Sequence, residues 1–294
     1  MAEIARVGVL GCGLMGHGIT QVAAQAGLDV VVREVDQGTL DKGLERIDKQ
    51  LARAVEKGKA TEEDVDGVKG RIHGTTDYTA LADCDLVVEA ITEDLALKLA
   101  MWKEVDAVVR PEAFLATNTS SLPVIDQAAS TGRPDRFLGL HFFNPVQVMK
   151  LLEVVRGVTT SDEAFQVGLD FGEKLGKLTV QTRDTAGFIV NRLLVPFLLD
   201  GMRGYEEGIG SIAEIDAAMK AGAGHPMGPL TLADFVGLDT IGAICDVMFD
   251  EFRERRFARP PVLNKMLAAG WRGRKSGVGF YDYSGEQPVP NAQL

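Results

Sequence analysis

The apolar positions of this chain follow two regimes. Over roughly the first 184 residues, short β-branched runs alternate with longer stretches of helical period. Beyond that point the period is helical almost throughout. RVGVL at Arg6–Leu10 and DVVVR at Asp29–Arg33 read as buried strands. Between them, HGITQVAAQAG reads as a helix closed by Gly27. Further strands are expected at Ile72–Thr75, Leu86–Ala90, Phe114–Thr117 and Lys177–Gln181. Helices are expected at Leu95–Val109, up to Ala129, and at Asp162–Leu175. The charged stretch Gly38 to Gly70 reads as a helical hairpin broken near Gly58-Lys59-Ala60-Thr61, with Thr61-Glu62-Glu63-Asp64 starting its second helix. Composition changes at Asp184-Thr185-Ala186-Gly187. After it come helices Phe188–Gly208, Ile212–Ala221, Leu230–Phe252 with a break near Gly237, and Pro261–Ala269. Pro196 is expected to kink the first of these or to start a helix turn there. The tail GRKSGVGFYDY returns as a short strand or loop.

One apolar stretch, FLGLHFFNPVQVMKLLEVV, carries a histidine and a carboxylate. It reads as strands Phe137–His141 and Met149–Val155 joined by a turn at Asn144-Pro145, because Pro145 has no N–H for a ladder. Strands joined in this way bring His141 and Glu153 face to face. A carboxylate beside an imidazole fixes its tautomer and raises its basicity, which suits a general base near neutral pH. The plainer reading is a core histidine with a chance partner.

The context for a base is at the amino terminus. Arg6–Leu10 ends at Gly11-Cys12-Gly13-Leu14-Met15-Gly16, a GxGxxG set between a strand and a helix. Gly11 permits the turn, Gly13 lets a pyrophosphate approach the backbone, and Gly16 lets helix and strand pack closely. The free N–H groups and dipole of the helix N-terminus then hold the phosphates. Glu34, 18 residues past Gly16, ends the second strand, where a carboxylate accepts from the adenosine ribose hydroxyls. It would repel a 2′-phosphate, so NAD is expected over NADP. Asp36 is the alternative acid, and Arg33 is the neighbour that favours the opposite preference. Ligands of open parallel sheets bind beyond the carboxyl ends of the strands, which places Glu93, Ser120 and His141 on the edge that holds the glycine turn. One serine of Ser120-Ser121 can instead cap the helix that follows.

Composition narrows the field. The chain has 294 residues, enough for two cores, with 46 % apolar and 25 % charged residues, as in soluble globular proteins. No apolar run reaches membrane-span length, and MAEIARVGVLGCG has no signal-peptide layout. Cys12, Cys84 and Cys245 are far apart, which fits a reducing cytosol and offers neither a disulfide framework nor a zinc site. The net charge of −11 argues against a nucleic-acid partner. Against that acidity, Arg46, Lys49, Arg53 and Lys57 follow at steps of 3, 4 and 4, on one helical face. This face is either a phosphate-binding ridge or a solvated face paired with Glu45 and Glu56. Asn191 sits in the strongly apolar GFIVNRLLVPFLLD, where an amide needs a reason. His225 is read as structural.

The stretches GCGLMGHGITQVAAQAG, CDLVVEAITED, ATNTSSLP, GLHFFNPVQVMKLLEVVRG, GFIVNRLL, AAMKAGAGHPMGPL and GWRGRKSGVGFYDY, in this order, resemble the 3-hydroxyacyl-CoA dehydrogenase family, in particular its bacterial 3-hydroxybutyryl-CoA members. The resemblance implies an α/β fold: a Rossmann-like NAD-binding domain with the helical hairpin over residues 1–184, then an all-α substrate and dimerisation domain over residues 185–294. It implies His141 as base, Glu153 orienting it, and Ser120 and Asn191 on the substrate oxygen. It implies NAD contacts at Glu93, Lys98, Ser120, Asn144 and Lys275, besides Gly11, Gly13, Gly16 and Glu34. Coenzyme A contacts map best onto Arg53 and Lys57, with arginine at 53 where the family often has lysine. The expected activity is reversible oxidation of an (S)-3-hydroxyacyl-CoA, four carbons long, in fatty acid or butanoate metabolism, by a cytoplasmic homodimer without a metal. Two rivals stand beside it. One is a dehydrogenase of a free hydroxy acid or sugar acid, which needs no Arg53 and Lys57. The other is a non-catalytic NAD-binding protein, which needs no base.

Overall fold

The computed structural model describes residues 4–294; the first three positions of the amino-terminal stretch lie outside it. The chain divides into two compact units, one closing at Thr185 and the other running Ala186–Leu294.

The first unit is built on eight strands: β1 (Arg6–Leu10), β2 (Asp29–Arg33), β3 (Ile72–Thr75), β4 (Leu86–Glu89), β5 (Phe114–Thr117), β6 (Phe137–Phe142), β7 (Leu151–Arg156) and β8 (Leu178–Arg183). They lie in the order β3-β2-β1-β4-β5-β6-β7-β8. Every neighbouring pair is parallel except β6 and β7. The strand order reverses between β1 and β4, which opens a crevice at the carboxyl edge. The valines and leucines of the central strands are buried because helices cover the sheet. These helices are α1 (Gly16–Gln25), α2 (Gln37–Glu56), α3 (Glu62–Lys69), α4 (Leu95–Val108), α5 (Val124–Ala128) and α6 (Asp162–Lys174). The hairpin α2–α3 breaks where expected, and Thr61 with Asp64 closes a reciprocal capping box on α3. Helix α2 stops at Glu56, so Lys57 caps the helix instead of extending it.

Several expected bounds shift by one or two residues, β8 for instance running to Arg183, and two of the shifts have a visible cause. The helix read as following Ser120 begins only at Val124, because Pro123 disfavours helical backbone at the residue before it. Its first amides, on Val124 and Ile125, donate to the Asp184 carboxylate at 3.0 and 2.9 Å, so no serine caps it. Strand β7 begins at Leu151 because the chain after the cis Asn144-Pro145 bond is still turning, with Val148 and Met149 donating to the Pro145 carbonyl at 3.0 and 2.9 Å.

The second unit packs α7 (Val190–Glu206), α8 (Ile212–Ala223), α9 (Pro229–Val236), α10 (Leu238–Phe252) and α11 (Pro261–Ala268) around a core that includes Leu198, Met202, Leu238 and Phe280. Pro196 lies inside α7 without ending it, and Gly237, at φ 102°, breaks α9 from α10. The tail forms the two-residue strands β9 (Tyr281–Asp282) and β10 (Val289–Pro290). Two buried carboxylates organise this unit. Asp216 accepts from the Leu230 and Thr231 amides that open α9. Asp234 accepts from the Phe280 and Tyr281 amides and the Tyr283 hydroxyl, and burial pushes its carboxyl up to about 6. A Cβ at Gly279 would sit 2.0 Å from Asp234, which explains a glycine in the tail. The His225 ring packs on Phe197 with centroids 4.9 Å apart.

The glycine turn shows why each position lacks a side chain. Gly11 has φ 90°, and a Cβ there would meet the Ala90 carbonyl oxygen at 2.8 Å. A Cβ on Gly16 would meet the Gly11 oxygen at 1.8 Å, whereas one on Gly13 meets nothing within 4 Å. Gly16→Ala is therefore expected to destabilise this unit by about 1–3 kcal/mol or more through overpacking. Gly13→Ala should melt close to the parent. Thermal melts of the two variants check this contrast.

Candidate active site

Register sets the central pair. In the antiparallel ladder of β6 and β7, His141 lies directly opposite Glu153. His141 Nδ1 is 2.6 Å from Glu153 Oε2, and the two side chains are 4 % and 0 % exposed. An ionised carboxylate only accepts, so Nδ1 carries the hydrogen and Nε2 is left as the basic nitrogen. That nitrogen lies 3.1 Å from Ser120 Oγ, whose hydroxyl donates to it. The ring also packs on Phe143, with centroids 4.6 Å apart.

Ser120 is held from below by a charged cluster. Its backbone N–H donates to Glu93 Oε1 at 3.0 Å, and the Thr119 hydroxyl donates to the same oxygen. Glu93 Oε2 pairs with Lys98 at 2.8 Å, and Lys98 pairs with Glu89 at 2.9 Å. Glu89 further accepts from the Ile91 N–H at 2.8 Å and the Thr117 hydroxyl at 2.7 Å. Burial holds Glu89 above the usual carboxylate range against the pull of Lys98. Burial acts in the same direction on Glu93, but Lys98, Thr119 and the Ser120 N–H together take it below that range. Lys98, only 1 % exposed, has its ammonium committed to these two carboxylates. Asn118 accepts from the Phe142 N–H at 2.9 Å and so ties the ends of β5 and β6 together.

Beyond the carboxyl end of β2, beside the glycine turn that follows β1, the Glu34 carboxylate accepts from the Cys12 N–H at 2.6 Å and the Val35 N–H at 3.0 Å. Asp36 caps α2 through Thr39 instead. Arg33 stacks over the Tyr78 ring at 3.8 Å. Burial pushes the Cys12 thiol up to about 12, so it packs as an apolar group rather than acting as a nucleophile. A dinucleotide fits this turn: the open space beside Gly13 contrasts with the crowding at Gly11 and Gly16, and α1 begins there with no side-chain cap.

Thus the first unit brings Ser120, His141 and Glu153 into direct contact and adds Glu93 and Lys98 through hydrogen bonds. Gly11, Gly13, Gly16 and Glu34 form the neighbouring turn, and Asn144 is exposed in the loop after β6. Arg53 and Lys57 are exposed at the end of α2. Lys49 pairs with Glu45 at 2.6 Å, while Arg46, Arg53 and Lys57 make no ion pair among the described residues. In the second unit, Asn191 is half-buried in the first turn of α7, and Lys275 pairs with Asp239. Sequence reasoning missed Glu89, Thr117, Thr119, Asn118 and Asp184. A charge ending the apolar run LVVE was the one available signal, for Glu89.

The family model of the 3-hydroxyacyl-CoA dehydrogenase NAD binding domain matches residues 6–185, and that of the C-terminal domain matches residues 187–283. A probable 3-hydroxybutyryl-CoA dehydrogenase of Deinococcus radiodurans is 49 % identical over 278 residues, 95 % of this chain and 100 % of that protein. The crystal structure of Mycobacterium tuberculosis FadB2 superposes with TM-score 0.94 at 48 % identity, covering 96 % of this chain and 100 % of that one. The (S)-3-hydroxybutyryl-CoA dehydrogenase of Ralstonia eutropha does so with TM-score 0.93 at 41 % identity, covering 96 % and 100 %. With both domain models matched in order and the relatives aligned over almost their whole length, the chain belongs to the 3-hydroxyacyl-CoA dehydrogenase family.

Proposed function

We propose that this chain is an NAD-dependent (S)-3-hydroxybutyryl-CoA dehydrogenase, interconverting the 3-hydroxyacyl and 3-oxoacyl thioesters. The observation that carries the chemistry is the alignment Glu153–His141–Ser120, with Nδ1 bonded to the carboxylate at 2.6 Å and Nε2 facing a hydroxyl at 3.1 Å. Bound NAD supplies the hydride acceptor. His141 Nε2 takes the proton of the substrate hydroxyl as that oxygen becomes a carbonyl. Glu153 stabilises the imidazolium that results, and it does so in a buried setting where the ion pair is little screened. Ser120 holds the reacting oxygen in line with Nε2, and Asn191 is assigned as its second contact. Glu93 and Lys98 fix the Ser120 backbone and border the cofactor, with Asn144 and Lys275 as further cofactor contacts. The four-carbon chain length rests on the names of the relatives.

The same reading assigns coenzyme A to the ridge ending at Arg53 and Lys57, whose charges are exposed and without ion-pair partners among the described residues. It makes the protein a homodimer associating through its helical unit, where Leu193, Ile209 and Phe235 are exposed. It also places the protein in the cytoplasm, consistent with three free, buried cysteines.

Turnover of acetoacetyl-CoA with NADH is the primary test; activity on free hydroxy acids alone, or none, would defeat the reading. His141→Gln should lower kcat by about 10²- to 10⁴-fold with NADH affinity nearly unchanged. Glu153→Gln should be slow as well, because the imidazolium formed in the step has lost its counter-charge. NAD(H) should be preferred over NADP(H), and Glu34→Ala should narrow the gap in kcat/KM while weakening NAD binding, since Glu34 also holds the Cys12 amide. Arg53→Ala combined with Lys57→Ala should raise KM for acetoacetyl-CoA more than for an acyl-pantetheine, with the difference shrinking at high salt. Equal handling of both substrates by that double variant would return the ridge to a solvated face.

A further inference from the structure

We propose that His17 is a positioning residue for the dinucleotide: its imidazole pins the Gly13 carbonyl and thereby aims the following peptide N–H at the pyrophosphate. GxGxxG ends at Gly16, so the glycine pattern itself places no demand on position 17. Yet His17 is buried in the first turn of α1, only 7 % exposed, with both ring nitrogens engaged. Nδ1 is 2.6 Å from the Gly13 oxygen, which also accepts the His17 backbone N–H at 3.3 Å. A carbonyl only accepts, so Nδ1 carries the hydrogen. Nε2 lies 3.1 Å from the side-chain nitrogen of Gln50 in α2, which donates to it. Contacts with two separate elements therefore define one tautomer of a neutral ring.

Gly13 needs such a clamp. It has open space where a side chain would be, and a glycine has the widest choice of backbone conformation. The peptide after it is trans. In a trans peptide plane the C=O and the next N–H point in opposite directions. Holding the Gly13 oxygen against the imidazole therefore turns the Leu14 N–H outward, the way an anion meets a helix N-terminus. The ring also covers a carbonyl oxygen whose partial charge would repel a phosphate. Glu34 holds the Cys12 amide at 2.6 Å, so the turn is fixed at two successive residues by side chains from different elements.

The proposal rests on the dinucleotide lying at this turn, and the test separates the two ideas. NADH binding would be measured by cofactor fluorescence, together with steady-state kinetics, for the parent, His17→Leu, His17→Asn and Gly13→Ala. Leucine fills the volume without a donor, and asparagine keeps a donor near the Nδ1 position. His17→Leu should raise the Kd and KM for NADH about three- to tenfold, one hydrogen bond's worth, with a smaller change in kcat. His17→Asn should stay within about twofold of the parent because it retains that bond. If His17→Leu melts lower but binds NADH as the parent does, histidine is there for packing and the proposal is overturned. Equal weakening by leucine and asparagine overturns it too. Unchanged binding by Gly13→Ala would overturn the placement of the dinucleotide itself, and the role of His17 with it.

Discussion

Carboxylates buried at the carboxyl edge of the sheet set the terms on which the surrounding loops fold. Glu34 follows β2, Glu89 ends β4 and Glu153 lies within β7, at 8 %, 0 % and 0 % exposure. A carboxylate removed from water is costly unless donors replace its hydration. Here the donors come from the site-forming segments: the glycine turn for Glu34, the Ile91 amide, Thr117 and Lys98 for Glu89, and His141 for Glu153. Each loop is consequently tied to the strand end that needs it. A substitution that removes one of these donors leaves a charge stranded in the core, so damage to a loop is felt by the sheet.

The same arrangement divides labour between charge and hydrogen bonding. The cluster Glu89, Lys98 and Glu93 holds two carboxylates against one ammonium, and its outer member reaches Ser120 only through a backbone N–H. Ser120 Oγ thereby remains available to His141 and to a substrate oxygen, while its main chain is held firmly. His141 is treated differently, with its carboxylate bonded directly to the ring. One contact governs where an oxygen sits, and the other governs how strongly a nitrogen takes a proton.

Much of this was legible in the order of residues, and the rest was hidden for identifiable reasons. Strands Asp29–Arg33 and Phe114–Thr117 fall where their apolar runs end at charges or turns, because burial of Val30–Val32 and of Phe114–Thr117 on both faces leaves an apolar signature, whereas Ile72–Thr75, exposed or half-buried at the sheet edge, carries none. The pairing of His141 with Glu153 was visible because a hairpin is a local structure whose turn announces itself at Pro145. The alternative of a serine cap stays open in the sequence because a side-chain oxygen before a helix looks the same whether or not the helix starts there, and the structure closes it. The cap is Asp184, some 60 residues onward, and no local pattern points to it. Glu89 was passed over for a related reason: its partners Lys98 and Thr117 lie 9 and 28 residues away, and parallel strands reach one another only through crossovers.

The antiparallel step between β6 and β7 has a consequence for how the site is encoded. His141 and Glu153 are 12 residues apart, so the base and its carboxylate meet once a single short loop has closed. Ser120 reaches His141 across a parallel pairing that requires a complete strand–helix–strand crossover. The dyad is therefore a low-contact-order element embedded in a high-contact-order sheet. A chain insertion within the crossover alters the delivery of the serine and leaves the dyad's register untouched. An insertion of one residue within β7 instead turns Glu153 to the opposite face of the sheet and separates the dyad, however sound the remaining fold.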